Sequence, residues 1–516
     1  MLLHYTKGAI RALGQAKEDA GEAERPDGLP RGAWDKDGYL ARVKLWDLDA
    51  PIQLKEVPSE LRPAQKGGPF NNAQGVNQGY LFPLTDEWVN KMKTRFADRW
   101  PTESPWGGTH PDPDPEPLTF DALLSRFRET GLYFPTETVS NYLLALQTKG
   151  FVILTGISGT GKSKLAMHVA QSLAAGRAGD RDEQLCVVAV RPDWTDNRGL
   201  LGWQNPITGT YVLTPTLKFL LRARAEVETA RAAGRKAYPY FLVLDEMNIA
   251  RVEYYFSDFL SCLESGMPLH LHDETDPKKV TIPSELPIPH NVFITGTVNV
   301  DETTSNFSPK VLDRAFTIEL NRVHLERLGL PNVTASDKTP VYLNNLLPMI
   351  QSDRSAKHGA TSDDWMEFES LADGKLAQVV ADLNERLTSE NRHFGYRVAT
   401  EIARFTTLAA KQAGEEEKTL WAALDLALME KVLPKFYGTQ QELEGVLREL
   451  FAFAIDGSSP PLGDDVEEQW DIVGDELRPL VSTDAAADAP RLPRMAFKVR
   501  RMMRRLKRQG FTSFIE

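Results

Sequence analysis

Residues 151–163 constrain the fold of this chain more than any other stretch. Phe151-Val-Ile-Leu-Thr155 is a short apolar run of strand type, and Gly156-Ile-Ser-Gly-Thr-Gly161-Lys162-Ser163 follows it directly. Leu165, Val169 and Leu173 then recur at helical spacing. A strand that turns through glycines into a helix N-terminus gathers backbone N–H groups at one point, where the helix dipole favours an anion. The spacing G-x-x-x-x-G-K-[ST] is one that cradles phosphates. Gly156, Ile157, Ser158, Gly159, Thr160, Gly161, Lys162, Ser163 and Lys164 form the candidate loop. Lys162 would bridge the β- and γ-phosphates of a nucleoside triphosphate, and Ser163 would coordinate Mg²⁺.

Such a loop needs a second strand that ends in acid. Tyr240-Phe-Leu-Val-Leu-Asp245-Glu246 supplies one. Asp245 would hold the Mg²⁺ through water, and Glu246 would polarise the water that attacks the triphosphate.

The rest of the chain fits around these two strands. Short apolar runs at Phe151–Thr155, Cys186–Val190, Tyr240–Leu244, Val292–Thr297 and Phe316–Leu320 alternate with helical stretches. That alternation predicts an α/β fold, a five-stranded parallel sheet covered on both faces. Leu118 to Lys149 has helical spacing, and helices are expected at Asp382–Leu387, Val398–Ala410 and Trp421–Val432. The nucleotide-binding domain is therefore set at 118–325, with a helical lid and a basic C-terminal helix over 326–516. Gly457 to Pro490, acidic and rich in Pro and Ala, reads as loops. Pro101 to Pro117 alternates proline with polar residues and reads as a stiff linker. Ahead of it, residues 1–100 read as a small β-rich domain in which Tyr39–Trp46 alternates as a half-buried strand does.

Composition narrows the classes further. No apolar run approaches the ~20 residues of a membrane helix, and the start, Met1-Leu2-Leu3-His4-Tyr5, lacks the plan of a signal peptide. Cys186 and Cys262 are the only cysteines, both in apolar segments, and are expected to be buried reduced thiols of a cytoplasmic protein. The net charge of −12 argues against a chain coated in nucleic acid, but phosphate binding depends on patches. One such run lies at the end: Arg491 to Arg508 holds nine basic residues and no acidic one. Val499, Met502, Met503 and Leu506 share one face of the expected helix, which reads either as a lid helix with a solvated charged side or as a surface for DNA phosphates or an acidic partner.

The motifs together resemble the AAA+ NTPases. In Asn291-Val-Phe-Ile-Thr-Gly-Thr-Val-Asn299 the last residue resembles their first sensor, which aligns water against the γ-phosphate. Ser308-Pro-Lys-Val-Leu-Asp313-Arg314 resembles the segment that carries the arginine finger, so Arg314 would reach a neighbouring subunit's site. The other reading is a helix-terminal Arg paired with Asp313. Phe394-Gly-Tyr-Arg397-Val resembles the second sensor of the lid, with Arg397 on the phosphates or in a structural salt bridge. Arg191 to Gly202, followed by the hairpin turn at Thr208-Gly209, resembles the helix-2 insert of the dynein-related and MoxR-like branch. Within it, Asp245-Glu246-Met-Asn248-Ile-Ala-Arg is similar to the D-E-I-N-R-A-N of the McrB-like restriction motors. The similarity spans roughly 135–410, but Val300-Asp-Glu-Thr-Thr-Ser departs from that family's T-A-D-R-S and leaves ATP or GTP open. His4 to Gly14, Trp34 and Gly38–Trp46 are similar to an EVE or other PUA-like domain. Such a domain implies a flipped-base pocket that Tyr5, Trp34 and Trp46 could line. An early strand of that fold would precede residue 1. The resemblance implies a homo-oligomeric ring, a hexamer, that acts on DNA, including modified DNA, with an McrC-like nuclease partner. The alternative is a MoxR-like chaperone that remodels a protein.

Overall fold

The computed structural model describes residues 2–6, 8–16, 21–23, 38–40, 43–57, 62, 89, 91–92, 95–96, 99–100, 120–174, 183–232, 234–274, 280, 282–300, 307–325, 360–458, 469–473, 476–479 and 490–515. The chain divides into two compact units, Met1–Asp114 and Pro115–Glu516. The linker expected at Pro101–Pro117 and the departure from the McrB pattern at 301–305 lie outside the described residues.

In the first unit, β1 (Leu2–Thr6), β2 (Ala9–Ala16) and β5 (Val43–Gln53) form an antiparallel sheet, while β3 (Gly21–Ala23) pairs with β4 (Gly38–Leu40). The strand expected at Tyr39–Trp46 is thus divided between β4 and β5, which join different sheets. Ile10 and Leu13 of β2 pack with Leu48, Ile52, Met92, Phe96 and Trp100 as a small core.

The second unit is built on β6 (Phe151–Gly156), β7 (Leu185–Ala189), β10 (Tyr240–Asp245), β13 (Val292–Asn299) and β14 (Phe316–Glu319). They form one sheet in the order β14-β6-β13-β10-β7, and every pairing is parallel. β6 and β10 are buried along nearly their whole length, which is why they read as unbroken apolar runs. All five segments expected from the sequence are strands of this sheet.

Helices cover both faces. α1 (Phe120–Glu129) and α2 (Thr136–Lys149) are separate, since Gly131, at a φ of 73°, and Pro135 fall between them. α3 (Lys162–Leu173) follows the glycine loop, and α4 (Arg198–Leu201), α5 (Pro215–Ala232), α6 (Val252–Tyr255), α7 (Ser257–Ser265), α8 (Pro309–Leu312) and α9 (Ser362–Ser370) come next in chain order. A short hairpin, β8 (Trp203–Gln204) and β9 (Tyr211–Val212), turns through Gly209 in the left-handed region, and the Asn205 carboxamide accepts from the N–H of Ile207, while β11 (Leu269–His270) pairs antiparallel with β12 (Glu285–Leu286).

Beyond the sheet, α10 (Lys375–Thr388), α11 (Tyr396–Ala413), α12 (Glu417–Lys431), α13 (Gln440–Ile455) and α14 (Pro493–Gln509) share an apolar core with α2 and α3. Their expected helicity is found. The stretch 457–490, expected to be loops, contains a strand pair instead: β16 (Trp470–Val473) with β17 (Glu476–Pro479). Trp470 and Leu477 are buried there, which gives this otherwise acidic segment an apolar face to fold on. Cys262 is buried and Cys186 half-buried, and both are free thiols.

Candidate nucleotide site

The parallel order brings the carboxyl ends of the strands to one edge. Asn299, the last residue of β13, pairs with Gly156 at the end of β6, and Leu244 of β10 pairs with Gly296. Side chains that leave these ends therefore share one crevice, where open α/β sheets bind ligands.

Gly156 and Gly161 are held there by sterics as well as by conformation. Gly156 has a φ of 150°, and a Cβ on it would stand 2.3 Å from the Leu320 carbonyl oxygen. Gly161 has a φ of 89° and caps α3, so the helix opens at Lys162. Ile157, Ser158 and Gly159 are exposed at the tip of the loop, and Lys164 is exposed on the first turn of α3. Lys162 is buried, and its ammonium donates to the carbonyls of Gly156 (2.8 Å) and Ile157 (2.6 Å). Those bonds fold the side chain back across the loop.

Ser163 Oγ donates to Asp245 Oδ1 at 2.5 Å, and Thr297 Oγ1 donates to the same oxygen at 2.7 Å. Thr297 also accepts the backbone N–H of Glu246 at 3.1 Å. Glu246 sits in the left-handed region (φ 54°, ψ 48°), an uncommon conformation for a residue with a side chain. Asn299 Nδ2 makes a long 3.5 Å contact to Glu246 Oε1, and the Asn299 carbonyl accepts from Asn248 Nδ2 at 3.2 Å. A hydroxyl, two carboxylates and a carboxamide are thus grouped at the carboxyl edge of the sheet, beside the glycine loop that carries Lys162. The fold is that of a P-loop NTPase core.

The donors in this core fit a magnesium ion. Mg²⁺ takes hard oxygen ligands at short distances, and Ser163 Oγ and the Asp245 carboxylate are such oxygens, already side by side.

Arg314 and Arg397 lie elsewhere. β14 runs parallel to β6 with Phe316 opposite Val152, so Arg314, just ahead of β14, is at the amino edge of the sheet. Its guanidinium pairs with Glu264 and donates to the Lys310 carbonyl at 2.6 Å. Asp313 pairs instead with Arg397 and, at 2.5 Å, with Lys435. Arg397 also reaches Glu264 at 2.6 Å, so one carboxylate holds both arginines. Burial holds the Arg314 guanidinium below its usual pKa. Burial lowers Lys435 as well, with Arg397 beside it acting in the same sense, to about 8. The structural salt bridge left open for Arg397 is present, and the pairing of Arg314 with Asp313 is replaced by one with Glu264. The parallel sheet puts the amino edge at the opposite end from the glycine loop, so neither arginine is grouped with Lys162.

A buried ion chain backs this edge. Glu401 of α11 accepts from Lys149 and from Lys431 of α12, and Lys431 also donates to the carbonyls of Asp313 and Ala315. Burial would raise the Glu401 carboxyl, but Lys431 and Lys149 outweigh it and hold the pKa at about 2.

Among the N-terminal residues, Trp46 is half-buried, with the Lys44 ammonium 4.7 Å from its ring centroid. Trp34 lies outside the described residues, and of Tyr5 only the strand backbone is described.

Sequence reasoning missed Thr297, Asn248 and Glu264. Thr297 stands two residues before Asn299 and so on the same face of one strand, a signal that was present. Nothing in the sequence pointed to Glu264, which meets the arginines only through the fold.

Among proteins of known sequence and structure, a family model described as "Domain of unknown function (DUF8727)" matches residues 350–511, the helical part of the second unit. No curated protein matches the chain. Among solved structures the chain is similar to one titled "SCCmec type IV Cch - active helicase", at 13% identity and a TM-score of 0.26, covering 70% of this chain. The chain spans 57% of that helicase's length.

Proposed function

We propose that this chain hydrolyses a nucleoside triphosphate and uses the turnover to drive a motor on DNA, as the McrB-like restriction motors do. The observation that carries the proposal is the grouping of Ser163, Asp245, Glu246 and Asn299 at the carboxyl edge of the sheet, at the foot of the glycine loop that carries Lys162.

Gly156 to Lys164 wrap the phosphates, and the Lys162 ammonium leaves its carbonyl partners for the β- and γ-phosphates. Ser163 and Asp245 would hold a Mg²⁺ ion, which would supply positive charge against the phosphates. Glu246 accepts a hydrogen bond from the attacking water, and Asn299 orients that water. Water adds to the γ-phosphorus, the bond to the β-phosphate oxygen breaks, and the water proton passes to Glu246. Thr297 fixes both acids, one through its carboxylate and the other through its backbone.

Arg314 serves a neighbouring copy, while Arg397 keeps the salt bridges that hold the lid at this edge. Arg314 lies at the edge opposite its own P-loop, held by Glu264, and a head-to-tail contact would have to draw it from that carboxylate onto the next triphosphate. Such contacts close into a ring, which the McrB resemblance makes a hexamer with an McrC-like nuclease as partner. The first unit would then read DNA, including modified DNA. ATP and GTP are both candidate substrates.

Phosphate release, measured with ATP and with GTP in the presence and absence of methylated duplex DNA, tests the reading. Hydrolysis stimulated by DNA is expected. Hydrolysis indifferent to DNA, with binding to an unfolded protein client, would support the MoxR-like chaperone instead.

A further inference from the structure

Several cations of the basic run at the end of the chain make contacts within the second unit. Arg491 stacks on Trp421 and Phe453, Arg494 pairs with Glu137, and Lys498 pairs with Glu319 at 2.8 Å. Arg500 donates to the Trp470 carbonyl at 3.2 Å, and Arg504 pairs with Asp471. These five cations tie α14 and the residues just ahead of it to the rest of the unit. Lys507 and Arg508, in the last turn, are exposed.

After Gln509 and Gly510 the chain enters β18 (Phe511–Ser513), which pairs antiparallel with β15 (Tyr437–Thr439). Tyr437 lies opposite Ser513, and Thr439 opposite Phe511. Gly438 and Thr512 face inward and are buried, so the outer face carries Tyr437, Thr439, Phe511 and Ser513. Tyr437 and Phe511 are diagonal neighbours on that face, at a spacing of roughly 7–8 Å between backbones. They are 41% and 43% exposed. The acid beside them is engaged: Glu442 accepts from the N–H and the hydroxyl of Thr439 as a helix cap.

The helix dipole accounts for two cations at the C-terminus of α14. It does not account for two aromatic rings left in water on the adjoining strands. We infer that the outer face of β15 and β18 binds single-stranded nucleic acid, with Tyr437 and Phe511 stacking successive bases and Lys507 and Arg508 holding the backbone phosphates. Exposed rings on strands that meet just after a helix turn with two exposed cations match the two repeating features of a single strand, its bases and its charge. In a duplex the bases are already stacked on each other. The site is separate from the nucleotide crevice and does not depend on hydrolysis.

The test is fluorescence anisotropy of a labelled 20-nucleotide oligothymidine, with a duplex of equal length as control, on the full chain without nucleotide. The pair Tyr437→Ala and Phe511→Ala should weaken single-strand binding roughly 30-fold or more. Tyr437→Phe with Phe511→Tyr should keep it. Replacing Lys507 and Arg508 by Gln should lower the slope of log Kd against log salt by about 1.4. Thermal unfolding and DNA-free phosphate release should match the parent in each variant, which separates this result from a failure of the hydrolysis reading. Oligothymidine affinity unchanged in the alanine pair would overturn the inference. So would a pair that loses self-association or a protein partner while keeping the oligonucleotide.

Discussion

Ser163 and Asp245 stand 82 residues apart in sequence and are joined by a 2.5 Å hydrogen bond at the carboxyl edge of the sheet. β13, inserted between their two strands, supplies Thr297, which bonds the same carboxylate oxygen. The contact exists because the sheet order places the glycine loop one strand away from the acidic strand, leaving a gap that β13 fills with a threonine and an asparagine.

Gly156→Ala should destabilise the second unit and remove nucleotide binding together. The added methyl would stand 2.3 Å from a backbone oxygen that cannot swing away, at a φ that side chains rarely adopt. A loss of about 2–3 kcal/mol is expected in urea unfolding. Gly159→Ala, where a methyl would meet nothing within 4 Å, should be milder despite its φ of 83°. Equal losses at the two positions would contradict the steric account.

Arg314→Ala should leave the affinity for nucleotide near that of the parent while hydrolysis at high protein concentration falls roughly 10³-fold. The guanidinium is held by Glu264 at the amino edge, away from its own loop. Mixing the variant with a Lys162→Ala chain should restore part of the turnover, because one partner supplies the arginine and the other the loop. Strongly weakened nucleotide binding by the isolated variant would place Arg314 in its own subunit's crevice.

Glu430 should make stability fall as the solution becomes alkaline. Burial pushes its carboxyl up to about 8, against the hydrogen bond from the Asn141 carboxamide. Between its ordinary value of 4.5 and about 8, the folded chain keeps a proton that the unfolded chain releases. Folding is therefore favoured at the acid end of that window and loses stability as pH rises through it. Glu430→Gln keeps an acceptor for Asn141 and removes the titration. Urea unfolding should show the variant more stable by about 1–3 kcal/mol at pH 8 and little different at pH 4.5. A gap independent of pH would show that Glu430 is not the group responsible.

The sheet was legible because its inner strands, β6, β10 and β13, are buried on both faces and so read as unbroken apolar runs, while the edge strand β7 is half-exposed yet still apolar. The glycine loop and Asp245-Glu246 were legible because a phosphate-binding turn tolerates few residue types. What the sequence hid was tertiary. Glu264 has no local pattern, and its place between Arg314 and Arg397 follows from where α7 (Ser257–Ser265) ends. The alternation over Tyr39–Trp46 was real but local, and pairing partners, which no short window contains, divided it between two sheets. The basic run on α14 carried a true amphipathic pattern. Which of its charges would be consumed by Glu137, Glu319 and Asp471 depended on chain segments far away.

The account rests on Glu246 as the group that activates water beside a bound triphosphate. Its most direct test is Glu246→Gln, assayed for nucleotide binding by equilibrium dialysis and for phosphate release under Mg²⁺ with both ATP and GTP. Binding within about threefold of the parent and hydrolysis slowed at least 10²-fold are expected, the usual range for a lost general base. Turnover at the parental rate in that variant would contradict it.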